Sequence, residues 1–190
     1  MVVHADAEAL ARAVALEFAR AAREAIAARG RFDVALAGGS TPKRTYELLE
    51  AALPWPRIHL WFGDERCVPA DHADSNHRMV RDALLGRIAI PAGNVHRMRG
   101  EDEPAAAARA YEAELALQFE LPPPPRAKRA PSFDLVLLGM GPDGHTASLF
   151  PGTKALAVRE RWCVENWVDA KQSWRLTLTL PVLDAARRVL

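Results

Sequence analysis

The chain has 190 residues, 49% hydrophobic and 26% charged, with a formal net charge of +1. That length and balance fit one domain with a real core and exclude wholesale disorder. The near-neutral charge, with no basic run longer than Arg187-Arg188, argues against a nucleic-acid binder.

Helix signals alternate with short apolar runs along the chain. Asp6 reads as the N-cap of a helix reaching Arg29, with Leu10, Val14, Phe18 and Ala22 on one face and Gly30 placed to stop it. Phe32 to Ala37 reads as a strand that runs into Gly38-Gly39-Ser40-Thr41-Pro42. A helix is predicted from Lys43 to Leu53, with Pro42 at the first helical position, where its missing N–H costs nothing. Ile58 to Phe62 is a second strand, ending in Gly63-Asp64-Glu65-Arg66. The polar loop Asp71 to Ser75 follows, and Ser75 caps a helix through Leu85. Pro104 to Glu120 is helical by composition, and the prolines from Pro122 to Pro125 must end it as a stiff connector rather than a polyproline ligand. Phe133 to Leu138 is a third strand. Leu176 to Leu180 alternates with a period of two and is a fourth, followed by a helical pattern from Pro181 to Leu190.

Strands alternating with helices predict an α/β fold, a doubly wound and mainly parallel sheet flanked by helices, as a single domain over residues 1–190. Ligands in such sheets bind beyond the carboxyl ends of the strands. Three of the strands end in polar loops, namely Gly38 to Thr41, Gly63 to Arg66 and Gly139 to His145, so the chemistry-bearing residues are expected to converge on one edge.

The turn Gly39-Ser40-Thr41 lets the backbone approach a ligand, and the helix N-terminus behind it suits an anion such as phosphate. A tight turn with a hydroxyl cap explains the same letters. No GK[ST] ending makes it a P-loop. Gly139-Met140-Gly141 with Gly144 matches the G-x-G-x-x-G register, but Asp143 would lie against a pyrophosphate, which argues against a dinucleotide site. His145 sits at a predicted strand-to-helix junction beside glycines and an acid, and imidazole, which as a group titrates near neutral pH, can take a proton from water and return it to a leaving group. Asp64 supplies a carboxylate to orient groups, and Arg66 a fixed charge for phosphate or a developing oxyanion. A surface ion-pair cluster would also account for Asp64-Glu65-Arg66. Asp71, His72, Asp74 and His77 have ligand-type side chains in a spacing that matches no metal motif, so no metal is expected. The five tryptophans are scattered and read as core or rim packing. Cys67 and Cys163 form no C-x-x-C pair, no apolar run is long enough to span a membrane, and the N-terminus lacks a basic leader. These features predict a cytoplasmic protein without structural zinc or membrane association.

Four blocks occur in order: LAGGSTPKRTYELL from Leu36, WFGDERCVPADHADSNHRMVRDALL from Trp61, FDLVLLGMGPDGHTASLFPGT from Phe133 and RLTLTLPVLDAARRVL from Arg175. Through them nearly the whole chain resembles the 6-phosphogluconolactonase family, within a superfamily that also contains glucosamine-6-phosphate deaminases. The deaminase branch follows its glycine–histidine motif with isoleucine, alanine and an Asn-Glu-Pro element, whereas this chain continues Thr146-Ala147-Ser148-Leu149-Phe150. The resemblance implies a Rossmann-like sheet of the sugar-phosphate isomerase type. It also implies hydrolysis of 6-phospho-D-glucono-1,5-lactone to 6-phosphogluconate, in the oxidative pentose phosphate pathway, with neither metal nor organic cofactor. By the same resemblance His145 is the general base and later the acid, and Asp64 and Asp143 order the site. Gly39, Ser40, Thr41, Arg66 and Gly141 contact substrate, and Lys171 or Arg175 supplies the remaining positive charge. The alternatives are a sugar-phosphate binding protein without turnover and a deaminase-like isomerase. Family members usually continue beyond the position of Leu190 with a further strand and helix. The expectation is a C-terminus either truncated or remodelled, with a missing strand leaving an unpaired edge and lowering solubility and stability relative to a full-length relative; a monomer or weak homo-oligomer is expected.

Overall fold

The computed structural model describes residues 2–190. Helix α1 (Ala7–Arg29) opens it, with the Asp6 carboxylate accepting the Ala9 N–H at 2.7 Å and Gly30 closing it at φ 80, a left-handed turn that glycine adopts without strain. Strand β1 (Phe32–Leu36) is buried throughout, and α2 (Ser40–Leu48) follows. Next come β2 (Ile58–Phe62), β3 (Asp64–Arg66), α3 (Asn76–Ala83) capped by the Ser75 hydroxyl, β4 (Val95–His96) and α4 (Pro104–Gln118). Strands β5 (Leu135–Val136), β6 (Cys163–Val168) and β7 (Ser173–Leu178) and helix α5 (Leu180–Asp184) complete the order.

The first sheet is parallel throughout, in the order β4-β2-β1-β5, with Phe32 facing Ile58 and Leu36 facing Phe62 across β1 and β2. Its strands are mostly apolar and mostly buried, interrupted by Asp33, His59 and His96, because helices and loops cover both faces. Phe18 of α1 meets Phe32 edge-on, with ring centroids 5.3 Å apart, and Trp55, Trp61, Phe62 and Phe133 are fully buried around them. Each such ring contributes on the order of 1.5–3 kcal/mol of burial. The expected α/β fold with a parallel central sheet flanked by helices is what the chain adopts.

Four expectations need correction. The fourth strand does not extend the parallel sheet: β7 pairs antiparallel with β6 and with β3, forming a second sheet in the order β3-β7-β6. Strand β6 was hidden because Glu165 and Asn166 break its apolar run, and the hairpin turn carries Gln172 at φ 45 where glycine or asparagine would have signalled it. Helix α2 starts at Ser40 with Gly39 as its N-cap and stops at Leu48, so Pro42 is not its first residue. No helix follows His145; the chain turns instead through Gly144 and Ala147. The C-terminal helix ends at Asp184, and Val189 bridges Val136 in parallel.

Candidate active site

The loop after β5 doubles back tightly. Gly144 at φ 81 and Ala147 at φ 49 both lie in the left-handed region, and a non-glycine residue there is strained. These reversals place His145 Nδ1 2.5 Å from Asp143 Oδ1, and the Phe150 ring stacks on the imidazole at 3.9 Å and 19°. The hydrogen bond from His145 holds the Asp143 carboxyl below the usual carboxylate range, so it stays ionised and keeps the proton on Nδ1. With Nδ1 paired to the carboxylate, Nε2 is the ring nitrogen left for another partner. A Cβ on Gly141 would overlap the imidazole and approach the Asp143 carboxylate, so only glycine lets the loop close over His145.

The second sheet supplies charge. Asp64 is buried and accepts hydrogen bonds from Ser148 Oγ at 2.7 Å and Asn76 Nδ2 at 3.1 Å. Asn76 reaches it only because Gly38 has no side chain to collide with the amide. Glu65 is buried beneath the same strand and accepts the N–H groups of Arg66, Asn76 and His77 and the Ser75 hydroxyl, all within 3.1 Å. Burial pushes its pKa up, while those backbone donors oppose the shift. Glu65 thereby ties β3 to the start of α3 and shapes the loop whose Asp74 carbonyl accepts from the Arg66 guanidinium.

Arg66 and Arg175 stand directly opposite each other in the β3–β7 ladder. The Nε of each is buried with no partner among the described residues. Burial, and then the neighbouring Arg66, push the Arg175 pKa down. Two guanidiniums with unused donors in one wall make a site for a strong anion.

His145, Asp64, Arg66, Arg175, Lys171 and the backbones of Gly39 and Gly141 border one cavity of about 350 Å³. The three polar loops therefore do converge on one edge, as the sequence pattern requires. Asp143 stands behind His145 rather than in the cavity wall. The Ser40 and Thr41 side chains do not reach it; Thr41 faces an adjoining apolar groove beside Leu138 and Met140. Lys171 lies at the hairpin turn between β6 and β7, exposed at the rim, while Arg175 is on β7 itself.

Sequence reasoning missed Asn76, Phe150 and Ser148. Ser148 is nearly inaccessible: its hydroxyl donates to Asp64, its N–H donates to Thr177 Oγ1 at 3.2 Å, and its carbonyl accepts from Asn166 Nδ2 at 2.9 Å. It pins the His145 loop to all three strands of the second sheet.

The chain matches the family described as glucosamine-6-phosphate isomerases/6-phosphogluconolactonase over residues 5–190. It belongs to that family. Among curated relatives, the 6-phosphogluconolactonase of Synechocystis is 48% identical over 168 residues, covering 87% of this chain and 68% of that protein. The 6-phosphogluconolactonase of Streptomyces coelicolor is 36% identical over 200 residues, covering 100% of this chain and 76% of that protein. Among solved structures, the 6-phosphogluconolactonase from Trypanosoma cruzi superposes with a TM-score of 0.88 at 32% identity, covering 99% of this chain and 77% of that one. The loop carrying His145 comes from the parallel sheet and the paired arginines from the antiparallel one. No helix among the described residues is long and apolar enough to cross a membrane.

Proposed function

We propose that the chain hydrolyses 6-phospho-D-glucono-1,5-lactone to 6-phospho-D-gluconate, as a 6-phosphogluconolactonase of the oxidative pentose phosphate pathway. The observation that carries the reading is His145, backed by Asp143, bordering the same cavity as Arg66 and Arg175, whose Nε groups are buried and unpartnered among the described residues. The lactone phosphate binds between Arg66 and Arg175 with Lys171 closing the rim, and the backbone turn at Gly39 to Thr41 offers further N–H donors. His145 Nε2 takes a proton from water as the water oxygen attacks the lactone carbonyl, giving a tetrahedral oxyanion. Asp143 stabilises the imidazolium. The carbonyl then re-forms, the C–O bond to the ring oxygen breaks, and His145 returns its proton to that oxygen. Atoms and charge balance without a cofactor. Asp64, held by Ser148 and Asn76, orients the arginine side of the cavity.

The intact His145–Asp143 pair argues against a binding protein without turnover, and the relatives named above are lactonases rather than deaminases. The free thiols of Cys67 and Cys163 fit a reducing compartment such as the cytoplasm. The test is lactone opening measured against its spontaneous background. General acid–base catalysis is worth about two to four orders of magnitude, so His145→Ala is expected to lose that much with folding intact. Near-normal turnover in that variant refutes the assignment.

A further inference from the structure

At the end of the parallel sheet opposite the catalytic cavity, β1 and β5 begin beside two buried carboxylates, Asp33 and Asp134. Each has three partners. Asp33 accepts from Arg31 Nε at 2.7 Å and from one Arg31 terminal nitrogen at 2.5 Å, together with Trp61 Nε1 at 3.0 Å. Asp134 accepts Arg29 at 2.7 Å and the Asp33 N–H at 2.9 Å, and a third guanidinium, Arg187, stands 3.4 Å away. The two acids therefore fix three arginines around a second cavity, also of about 350 Å³. A fourth, Arg129, borders it with no carboxylate partner among the described residues.

A purely structural ion-pair network would balance its charges and close on itself. Here four guanidiniums face two engaged carboxylates, with only Glu120 as a further acid on the wall and that one in no ion pair among the described residues. Arg29, Arg187 and Arg129 keep unused N–H donors, and the buried acids hold two of the forks in place before any ligand arrives. The site is separate from the catalytic one, sharing no lining residue with it.

We propose that this cavity is a second anion site, for a metabolite carrying two linked phosphate groups. One phosphate would leave most of the volume empty, whereas two linked phosphates present acceptors to more of the four guanidiniums on the wall. The site does not depend on the catalytic reading.

The experiment is isothermal titration of the full chain with pyrophosphate, and with inorganic phosphate for comparison. Three proteins are compared: wild type, Arg129→Ala/Arg187→Ala, and Arg175→Ala, which weakens anion binding in the catalytic cavity. The expected result is pyrophosphate binding that persists in Arg175→Ala and weakens at least tenfold in the double variant, with phosphate binding more weakly than pyrophosphate at this site. Lactonase activity of the double variant is expected to stay at the wild-type level. Should the double variant unfold, Arg129→Ala alone serves, because that side chain makes no ion pair among the described residues. Absence of pyrophosphate binding in wild type overturns the proposal, as does binding that vanishes in Arg175→Ala and survives in the Arg129 variants.

Discussion

Ser148→Ala removes one hydroxyl from the seam between the two sheets and leaves every backbone contact of that residue in place. The lost bond, 2.7 Å long and donated to the buried Asp64 carboxylate, is of the charged kind. Such bonds contribute about 1.5–3 kcal/mol. Asn76 still serves Asp64 from the other side, so the middle of that range, about 2 kcal/mol, is the expected destabilisation. At about 2–4 °C per kcal/mol for a domain of this size, the melting temperature should fall by about 4–8 °C. Activity should fall as well. The lost hydroxyl bond is the one that ties the His145 loop to Asp64 on β3, and a shift of about 1 Å in a group of the site can cost on the order of a hundredfold. The expectation is a kcat reduced by about ten- to a hundredfold with a smaller change in KM, read from lactone hydrolysis corrected for spontaneous opening. A purely structural role would lower the melting temperature and spare kcat at temperatures well below it. That outcome refutes the reasoning, as does a variant unchanged in both.

Gly141→Ala should displace the imidazole that its Cβ would overlap, losing at least a hundredfold in kcat/KM while far-ultraviolet circular dichroism stays native; full activity would mean the loop closes some other way. Glu65→Gln puts an amide NH₂ where an oxygen now accepts from backbone donors, so it should destabilise the fold by about 2 kcal/mol in urea denaturation despite the raised pKa of the native carboxyl. His59, at 2.9 Å from the His96 ring, has its pKa pushed down from 6.5 to about 4, first by burial and then by Arg31. Between those values the unfolded chain binds the extra proton, so the contribution of His59 is full above pH 6.5 and is lost as pH falls to about 4. The depressed His77 adds in the same direction and the raised Glu65 opposes it above pH 4.5, so the readout is the difference from His59→Gln. That variant's melting temperature should vary less steeply across the window, and an unchanged slope would contradict the assignment.

The periodic elements were legible because their signals are local. Asp6, Gly30 and Ser75 mark helix ends through their own backbone neighbours, and the apolar run from Leu135 needs only burial on both faces to become a parallel strand. The convergence of His145, Asp64 and Arg66 followed from one topological rule about the carboxyl ends of such strands. The second sheet was not legible, since β3 and β7 pair across more than a hundred residues and nothing in either segment names the other. The same separation hid Ser148, which reaches Asp64 over 84 positions, and Asn76, whose access depends on the missing side chain of Gly38. Ser40 and Thr41 misled for a local reason: starting α2 at Ser40 turns the Thr41 side chain toward the neighbouring groove, leaving only backbone donors to face a ligand.

The two-sheet construction separates what catalysis must combine. A histidine acting as base at neutral pH is best kept away from cations, because a neighbouring positive charge disfavours its protonated form, yet a phosphorylated substrate needs cations close by. Here Asp143 belongs to the same loop as His145 and sits 2.5 Å from it, so the imidazole has its own counter-charge. Arg66 and Arg175 belong to the other sheet, with Asp64 between them and the loop through Ser148. On the proposed mechanism, Asp143 then offsets part of the cost that the arginines and Lys171 in the same cavity would add to an imidazolium. It follows that lactones lacking phosphate should still be opened by the His145–Asp143 pair but bind far more weakly, since they leave the two buried Nε groups unsatisfied.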